Sequence, residues 1–442
     1  MRFIKMIFSV CLLGIYMLRK NTQKMNLLQK VINSIVVDVP ESLLEKVMLF
    51  VIKKKKQDLV MHGFENGNIP FEYIKIHYNN SLQNHLEHLF YNFYAHDRFV
   101  KKLRSQGAYI PKLFDIDCNI DLKLNKISFI YNHIDKLLQY PVLPDFKKLK
   151  FPERKKYRDL DRQVKSIIEL ENKNKDNYTS HFIEEGDWIG IKIYLSDEKD
   201  ILDKELSLKM WLNITNESID REIREVFLNK KLNDCFFSNA FFLNELLSTN
   251  FITHTFYIEI EDHVSKKYFC IERFKDAFNY DNKEIFEKII DIFSLRNDVS
   301  LKKEKAQLTL RYFLEKIKIY IEPQIIKEHE AIIKSKIIKN PDYLLYQSDL
   351  NFSLNIKRLA CRQAMEKIIV DHFIYIYNVM TSKNLLYWYL NILQRNRLKD
   401  FLYFDISHVY DNSNKSIPIN NSIIEQMALR EKVIELLIKK SS

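Results

Sequence analysis

Glycine is scarce: the 442 residues hold six, and none follows Gly190. More than half of the chain therefore lacks the one residue that takes left-handed backbone angles at no steric cost. With only nine prolines as well, a loop-rich fold is excluded. The five cysteines, at 11, 118, 235, 270 and 361, form no close pair, so neither a zinc knuckle nor a disulfide framework is indicated, which fits a reducing compartment. No G-x-x-x-x-G-K, H-E-x-x-H or nucleophile elbow occurs, so no nucleotide site, no hydrolase site, no metal and no cofactor are expected. The apolar run from Met6 to Leu18 is too short for a comfortable membrane span, which needs about 20 residues.

What is present is mass and positive charge. A chain of this length with 46% hydrophobic residues can bury substantial cores in two to four domains. The net charge of +11 suits a polyanionic neighbour such as ribosomal RNA, another nucleic acid or an anionic membrane. The lysines are spread along the chain, however, and a Lys-, Asn- and Ile-rich composition arises from an AT-rich coding sequence without any such partner. No run joins basic residues to stacking aromatics on one module, which weighs against a basic scaffold or nucleic-acid-binding protein.

The N-terminus has two readings. Arg2 and Lys5 before the apolar run, with Arg19, Lys20 and Lys24 after it, give a leader of signal-peptide length. Alternatively the true start is Met25, with Leu27 to Val39 as the opening strand, and this second reading is favoured. From Pro40 to Val60, Leu43, Leu44, Val47, Met48 and Val51 recur at helical spacing, with Glu41 and Glu45 early and Lys53 to Lys56 late, which complements a helix dipole. The stretch Gly63, Phe64, Glu65, Asn66, Gly67, Asn68, Ile69, Pro70 reads as a tight exposed tip, and Pro70 suits a first helical turn. A short helix then runs to Tyr78, Asn79 and Asn80 supply a left-handed stop, and Ser81 caps a longer helix through Leu82, Leu86, Leu89 and Phe93. His85 and His88 on that helix, with His96 beyond, could be weighed as metal ligands; without a completing ligand set they read as a solvated helix face.

Between Ala108 and Phe129, Asp115, Asp117, Asn119 and Asp121 alternate with Ile116, Cys118, Ile120 and Leu122, the pattern of a half-buried hairpin. The loop lacks the glycine and terminal glutamate of a calcium site. Phe146 to Phe151 reads as a further strand, Asp159 to Lys173 as a charged helix, and Asn172 to Asn177 as a polar break. Trp188 to Leu195, Leu208 to Leu212 and Phe256 to Ile260 read as strands, with Ile219 to Leu228 as a short helix. From Ser300 onward the pattern is nearly all helical.

Five segments, in this order, resemble the trigger factor family of ribosome-associated chaperones. Gly63, Phe64, Gly67, Pro70 and Tyr78 match its G-F-R-x-G-x-x-P tip and the tyrosine that closes the following helix. Gly186 and Asp187 before a strand resemble the opening of its FKBP-type prolyl isomerase domain. Ile319 to Pro323, followed by Ile325, Ile326 and Glu330, resemble its entry to a long chaperone helix, and Arg358, Ala360, Arg362 and Ile368 resemble its Arg-Leu-Ala-x-Arg segment preceding the first arm. Met427 to Leu437 is similar to its closing Leu-Arg-Glu-Lys-Val segment.

The resemblance implies an α+β multidomain fold. Its parts would be residues 1–25, an apolar leader or mis-assigned start; 26–155, an α+β ribosome-binding-like domain; 156–180, a helical linker; 181–265, a degenerate FKBP-like β-rich domain; and 266–442, an all-α chaperone domain. It implies a cytoplasmic, ATP-independent chaperone that holds unfolded or nascent chains, with Gly63, Phe64, Glu65, Asn66, Gly67 and Asn68 docking on the ribosome near the tunnel exit and no small-molecule substrate. Glu65 stands where the family has arginine, and Asn68 where it has lysine. The isomerase is a hollow of aromatics that favours a twisted amide without acid, base or metal. Trp211, Phe227, Phe236, Phe237, Phe241 and Phe242 are its candidates here, but the glycines that shape it are missing, so activity is expected to be lost or residual. If residues 6–18 are a genuine signal, the alternative is an exported folding factor of the SurA kind, or a membrane-tethered one.

Overall fold

Ile35 and Val37 are buried while Val36 is exposed, the period of two that a half-covered strand shows. The computed structural model describes residues 32–59, 64, 68–106, 116–122, 125–134, 148–153, 158–173, 182–197, 200–216, 221–267, 269, 271–293, 299–317, 321, 323–338, 347, 351–394, 401–404 and 418–442. Its first strand, β1 (Ile32–Asp38), pairs antiparallel with β3 (Lys126–Ile134), which pairs antiparallel with β2 (Ile116–Asp121). On β2, Asp117, Asn119 and Asp121 face solvent while Cys118 and Ile120 lean on the core. Asp115 lies outside the described residues.

Helix α1 (Glu41–Asp58) buries Leu43, Leu44, Val47, Met48 and Val51 against this sheet. The short α2 (Phe71–His77) and the longer α3 (Asn79–Phe90) follow with only Tyr78 between them. The expected stop at Asn79 and Asn80 and the cap at Ser81 are corrected here. The Leu82 N–H already donates to the Tyr78 carbonyl at 2.9 Å, so the helix is running before Ser81 could start it. A π-helical turn, Tyr91–Ala95, joins α3 to α4 (His96–Ser105). Its wider winding seats Phe93 on Phe256, ring centroids 6.1 Å apart.

The second sheet is a middle layer. Its strands are β4 (Trp188–Asp197), β5 (Asp200–Ile201), β6 (Ser207–Asn213), β7 (Cys235–Ser238), β8 (Thr255–Val264) and β9 (Ile419–Asn420), ordered β7-β8-β4-β6-β9 with β5 beside β4 and all pairs antiparallel. On one face, Ile189, Ile191, Ile193, Leu208, Met210, Ile258 and Ile260 share a core with α1 to α4. On the other, Trp188, Trp211 and Val264 share a core with the C-terminal helices. Segments 26–155, 181–265 and 266–442 are thus joined through common cores. Two short helices, α6 (Arg221–Phe227) and α7 (Phe241–Leu247), flank the β7 end, and α5 (Arg158–Lys173) packs through Val164 on the C-terminal side.

The remaining helices are α8 (Ile271–Phe278), α9 (Asn282–Phe293), α10 (Val299–Lys316), α11 (Pro323–Ile338), α12 (Phe352–Ile376), α13 (Lys383–Leu393) and α14 (Asn421–Ser441). Two expectations change. The C-terminal stretch is not helix throughout, because Ile419 and Asn420 pair with Trp211 and Met210; burying Ile419 while satisfying the open side of β6 favours extended chain there. Residues 148–151 are in no sheet: the Leu149 N–H donates instead to the Ser441 carbonyl at 2.8 Å.

Candidate functional site

Of the tip, Gly63, Glu65, Asn66 and Gly67 lie outside the described residues. Phe64 is half-buried, its ring centroid 5.4 Å from that of Tyr73, which in turn lies 4.1 Å from His77. Ile69 is fully buried and Asn68 is exposed. The aromatic of the tip therefore leans on α2, and Ile69 anchors the return. At the end of α1, Lys55 donates to the Phe251 carbonyl at 2.7 Å and sits over the Phe251 ring, while Lys54 covers Phe50. Lys55 fastens α1 to the loop before β8, while Lys54 packs on α1's own Phe50.

The histidine reading is corrected. His85 is not on a solvated face: it is fully buried, with Nε2 2.8 Å from His254 Nε2 and Nδ1 2.6 Å from Thr249 Oγ1. His96 is also buried, and its Nδ1 lies 3.1 Å from the Asn420 side chain. The second sheet, arriving from far along the chain, covers the helix face that local sequence left to solvent. Burial, with His88 and Lys55 adding repulsion, lowers the His85 pKa to about 3, and burial drives His254 well below its ordinary value. Both imidazoles are neutral near pH 7. No group of three or more His, Cys, Asp or Glu among the described residues could hold a metal.

The aromatics read as an isomerase wall are divided by the sheet itself. Trp211 lies on the C-terminal side, edge-on to Tyr387 at 6.3 Å, with its Nε1–H donating to Asn421 at 2.8 Å. Phe227 lies on the opposite side, meeting Phe236 and Phe242 edge to face. Phe237 and Phe241 face solvent. One hollow cannot be lined from both faces of one sheet, so these six side chains do not form a common wall.

The closing segment proves to be a core element. Arg430 is 2% exposed and forks onto Asp371 with two hydrogen bonds of 2.7 Å, and Gln426 donates to the same carboxylate. Glu431 accepts from Lys302 at 2.6 Å and from the Phe404 N–H. Glu435 accepts from Lys288 and Tyr280. Burial raises the Glu431 pKa against the pull of Lys302. Glu435 is held down to about 2 because its two lysines outweigh its burial. Sequence reasoning placed the motif but missed these roles. The available signal was the density of charge in Arg430, Glu431 and Glu435 among Leu429, Val433, Ile434 and Leu437.

No family profile matches the chain, and no curated protein matches it in sequence. A search of solved structures finds a trigger factor. That structure comes from work entitled "Promiscuous Substrate Recognition in Folding and Assembly Activities of the Trigger Factor Chaperone"; it shares 13% identity, covers 95% of this chain and 99% of its own, and has a TM-score of 0.35. A likeness at that TM-score carries nothing about activity.

Helices α11 and α12 pack on each other as a hairpin. Its helices pack through two small clusters separate from the main cores, Ile325 with Ala364 and Ile368, and Ile333 with Ile356 and Ala360. Alanines at 360 and 364 let the two backbones approach. Ile338 and Leu354, near the distal end, are 57% and 45% exposed, and Tyr375 and Met380 are exposed near the base. Of the resembling entry segment, residues 319, 320 and 322 lie outside the described residues. Among the described residues no helix is long and apolar enough to cross a membrane.

Proposed function

We propose that this chain is an ATP-independent chaperone of the trigger-factor kind, holding unfolded or nascent polypeptides and releasing them as they bury their own apolar surface. The observation that carries the reading is the α11–α12 hairpin, an arm with thin cores of its own and Ile338 and Leu354 left in water. Exposed aliphatics on such an arm gain by covering a client's apolar residues, at about 25 cal/mol per Å² buried. Each contact is weak and indifferent to sequence, which suits holding. The order of the family-like segments supports the same reading, as does a sequence without a nucleotide-binding loop.

On this reading the FKBP-like segment 181–265 serves as a structural layer and has no isomerase hollow. The protein works in the cytoplasm, and the tip at Gly63 to Asn68 is its ribosome contact. The test is light scattering from a chemically denatured client diluted into buffer without nucleotide. Stoichiometric chain should suppress aggregation, and Ile338→Ser with Leu354→Ser should raise the amount needed. Unchanged scattering with the wild-type chain would overturn the proposal.

A further inference from the structure

β7 ends its sheet, and the backbone register says what its open side offers. The Ile260 N–H donates to the Asp234 carbonyl at 3.0 Å, and the Ile260 carbonyl accepts from the Asn233 N–H at 2.8 Å. Ile260 thus aims both backbone groups at the β7 side, and in an antiparallel ladder so do Ile258 and Phe256, two and four residues away. Their register partners are Phe236 and Ser238. Cys235 and Phe237 therefore turn their N–H and C=O groups outward, where no described strand lies. Natural sheet edges usually carry a charge, a proline or a cover. Here Cys235 and Phe237 are exposed, as are Phe182, Leu232 and Phe241, the last 70% exposed.

We infer that the outer edge of β7 docks an extended polypeptide segment carrying an apolar residue beside Phe237 and a carboxylate near Lys230 and Lys231. This deepens the chaperone reading by naming one of its client contacts. An extended chain is the ligand because only a strand can meet alternate N–H and C=O groups in register. The apolar residue follows from the side chains: Phe237, Tyr257 and Tyr194 are direct neighbours on adjacent strands, their rings 5.1 and 6.1 Å apart. A fourth strand would continue this row across the edge.

The carboxylate follows from charge. Lys230 stands over the Phe236 ring at 4.1 Å and Lys231 over the Phe182 ring at 4.4 Å. Neither ammonium has a carboxylate in ion-pair reach among the described residues; the Asp234 carboxylate in the same turn accepts from the Lys231 backbone N–H at 2.7 Å. Glu222, the nearby acid on α6, is occupied by the N–H groups of Phe241 and Phe242. A second copy of β7 laid antiparallel would bring Ser238, Asn239 and Ala240 to the lysine end, and none of these carries charge. An acidic, apolar client segment complements the edge where a second copy does not.

The experiment uses the full chain and two fluorescein-labelled peptides, Thr-Val-Phe-Val-Thr-Asp-Asp and its counterpart ending Lys-Lys, read by fluorescence anisotropy. The acidic peptide should bind more tightly. Phe237→Pro should weaken it about tenfold, because proline removes the outward N–H and the ring while leaving the β7–β8 ladder intact. Lys230→Glu with Lys231→Glu should reverse the preference. Hydrogen exchange on the wild-type chain, which needs no variant, should show the acidic peptide protecting the Cys235 and Phe237 amides. Equal binding of both peptides, or no protection of those amides, would overturn the inference. So would dimerisation of the peptide-free chain that Phe237→Pro abolishes, since that assigns the edge to a second copy. Peptide binding with the expected protection, together with failure to suppress aggregation, would sink the chaperone reading and leave this site standing.

Discussion

His85 and His254, 169 residues apart, lie ring to ring at 5.0 Å with their Nε2 atoms 2.8 Å apart. One proton is shared by that contact, and the tautomers follow from the neighbours. Thr249 Oγ1 meets His85 Nδ1, whereas His254 Nδ1 is buried with no partner. An orphaned N–H costs more than an orphaned lone pair. The favoured arrangement therefore has His85 Nδ1–H donating to Thr249, and His254 Nε2–H donating to His85 Nε2.

Stability should fall as the solution is acidified. A histidine whose folded pKa is depressed is neutral when folded, so between the ordinary value of 6.5 and about 3 the unfolded chain binds more protons. The stabilisation is whole above pH 6.5 and is lost progressively toward pH 3, on the order of 2 to 3 kcal/mol from His85 by pH 4. Urea midpoints across this range should drop steeply for the wild type and less steeply for His85→Leu with His254→Leu. Some slope should survive, since His329 and His372 are lowered in the same direction by burial. Identical slopes would count against the pair.

The Arg430–Asp371 fork should dominate the stability of the helical segment. Removing one member strands the other charge in a dry site, at a cost of about 3 to 5 kcal/mol. Arg430→Met and Asp371→Asn should each lower the thermal midpoint strongly. Lys439→Ala, which breaks an exposed pair with Glu284, should change stability by about 1 kcal/mol at most. Equal effects at the two sites would refute the assignment.

Gly190 faces a steric limit. A Cβ there would stand 2.9 Å from the Asp262 Cβ and 3.2 Å from the Trp211 ring, at the bulge where the β4–β8 register shifts. Gly190→Ala should cost about 1 to 3 kcal/mol by overpacking. It should also disturb Trp211 fluorescence. A neutral variant with an unchanged spectrum would mean that the sheet yields more easily than its packing indicates.

The chain should not accelerate proline-limited refolding. An isomerase would collapse a slow phase lasting roughly tens of seconds at about 25 °C, and a divided set of aromatics gives the amide no enclosed, dry surroundings in which to twist. Clear acceleration at catalytic concentration would show that a hollow forms from other residues.

If the tip is the ribosome contact proposed above, the carboxylate of Glu65 would repel RNA phosphates, so ribosome association should be weak and salt-sensitive. Glu65→Arg together with Asn68→Lys should tighten co-sedimentation at low salt. If both proteins pellet alike at every salt concentration, the tip does not dock there.

The sequence by itself determined most local structure. Period-3.6 burial in Glu41–Asp58, alternation in Ile116–Asp121, and the charged helix at Arg158–Lys173 all follow from which side chains recur on one face, whereas Trp188–Asp197, read as alternating, is buried on both faces. Those patterns lie within a few turns of chain and can be read there. Tertiary structure decided what covers each face. His85 looks solvated until His254 arrives, the stretch from Ser300 onward reads as nearly all helical until Ile419 and Asn420 meet the open edge of β6, and the closing segment carries Arg430 without naming its partner Asp371. In each case the deciding partner lies tens to hundreds of residues away. The gain from pairing a buried polar group exists only once the fold has removed water from both members.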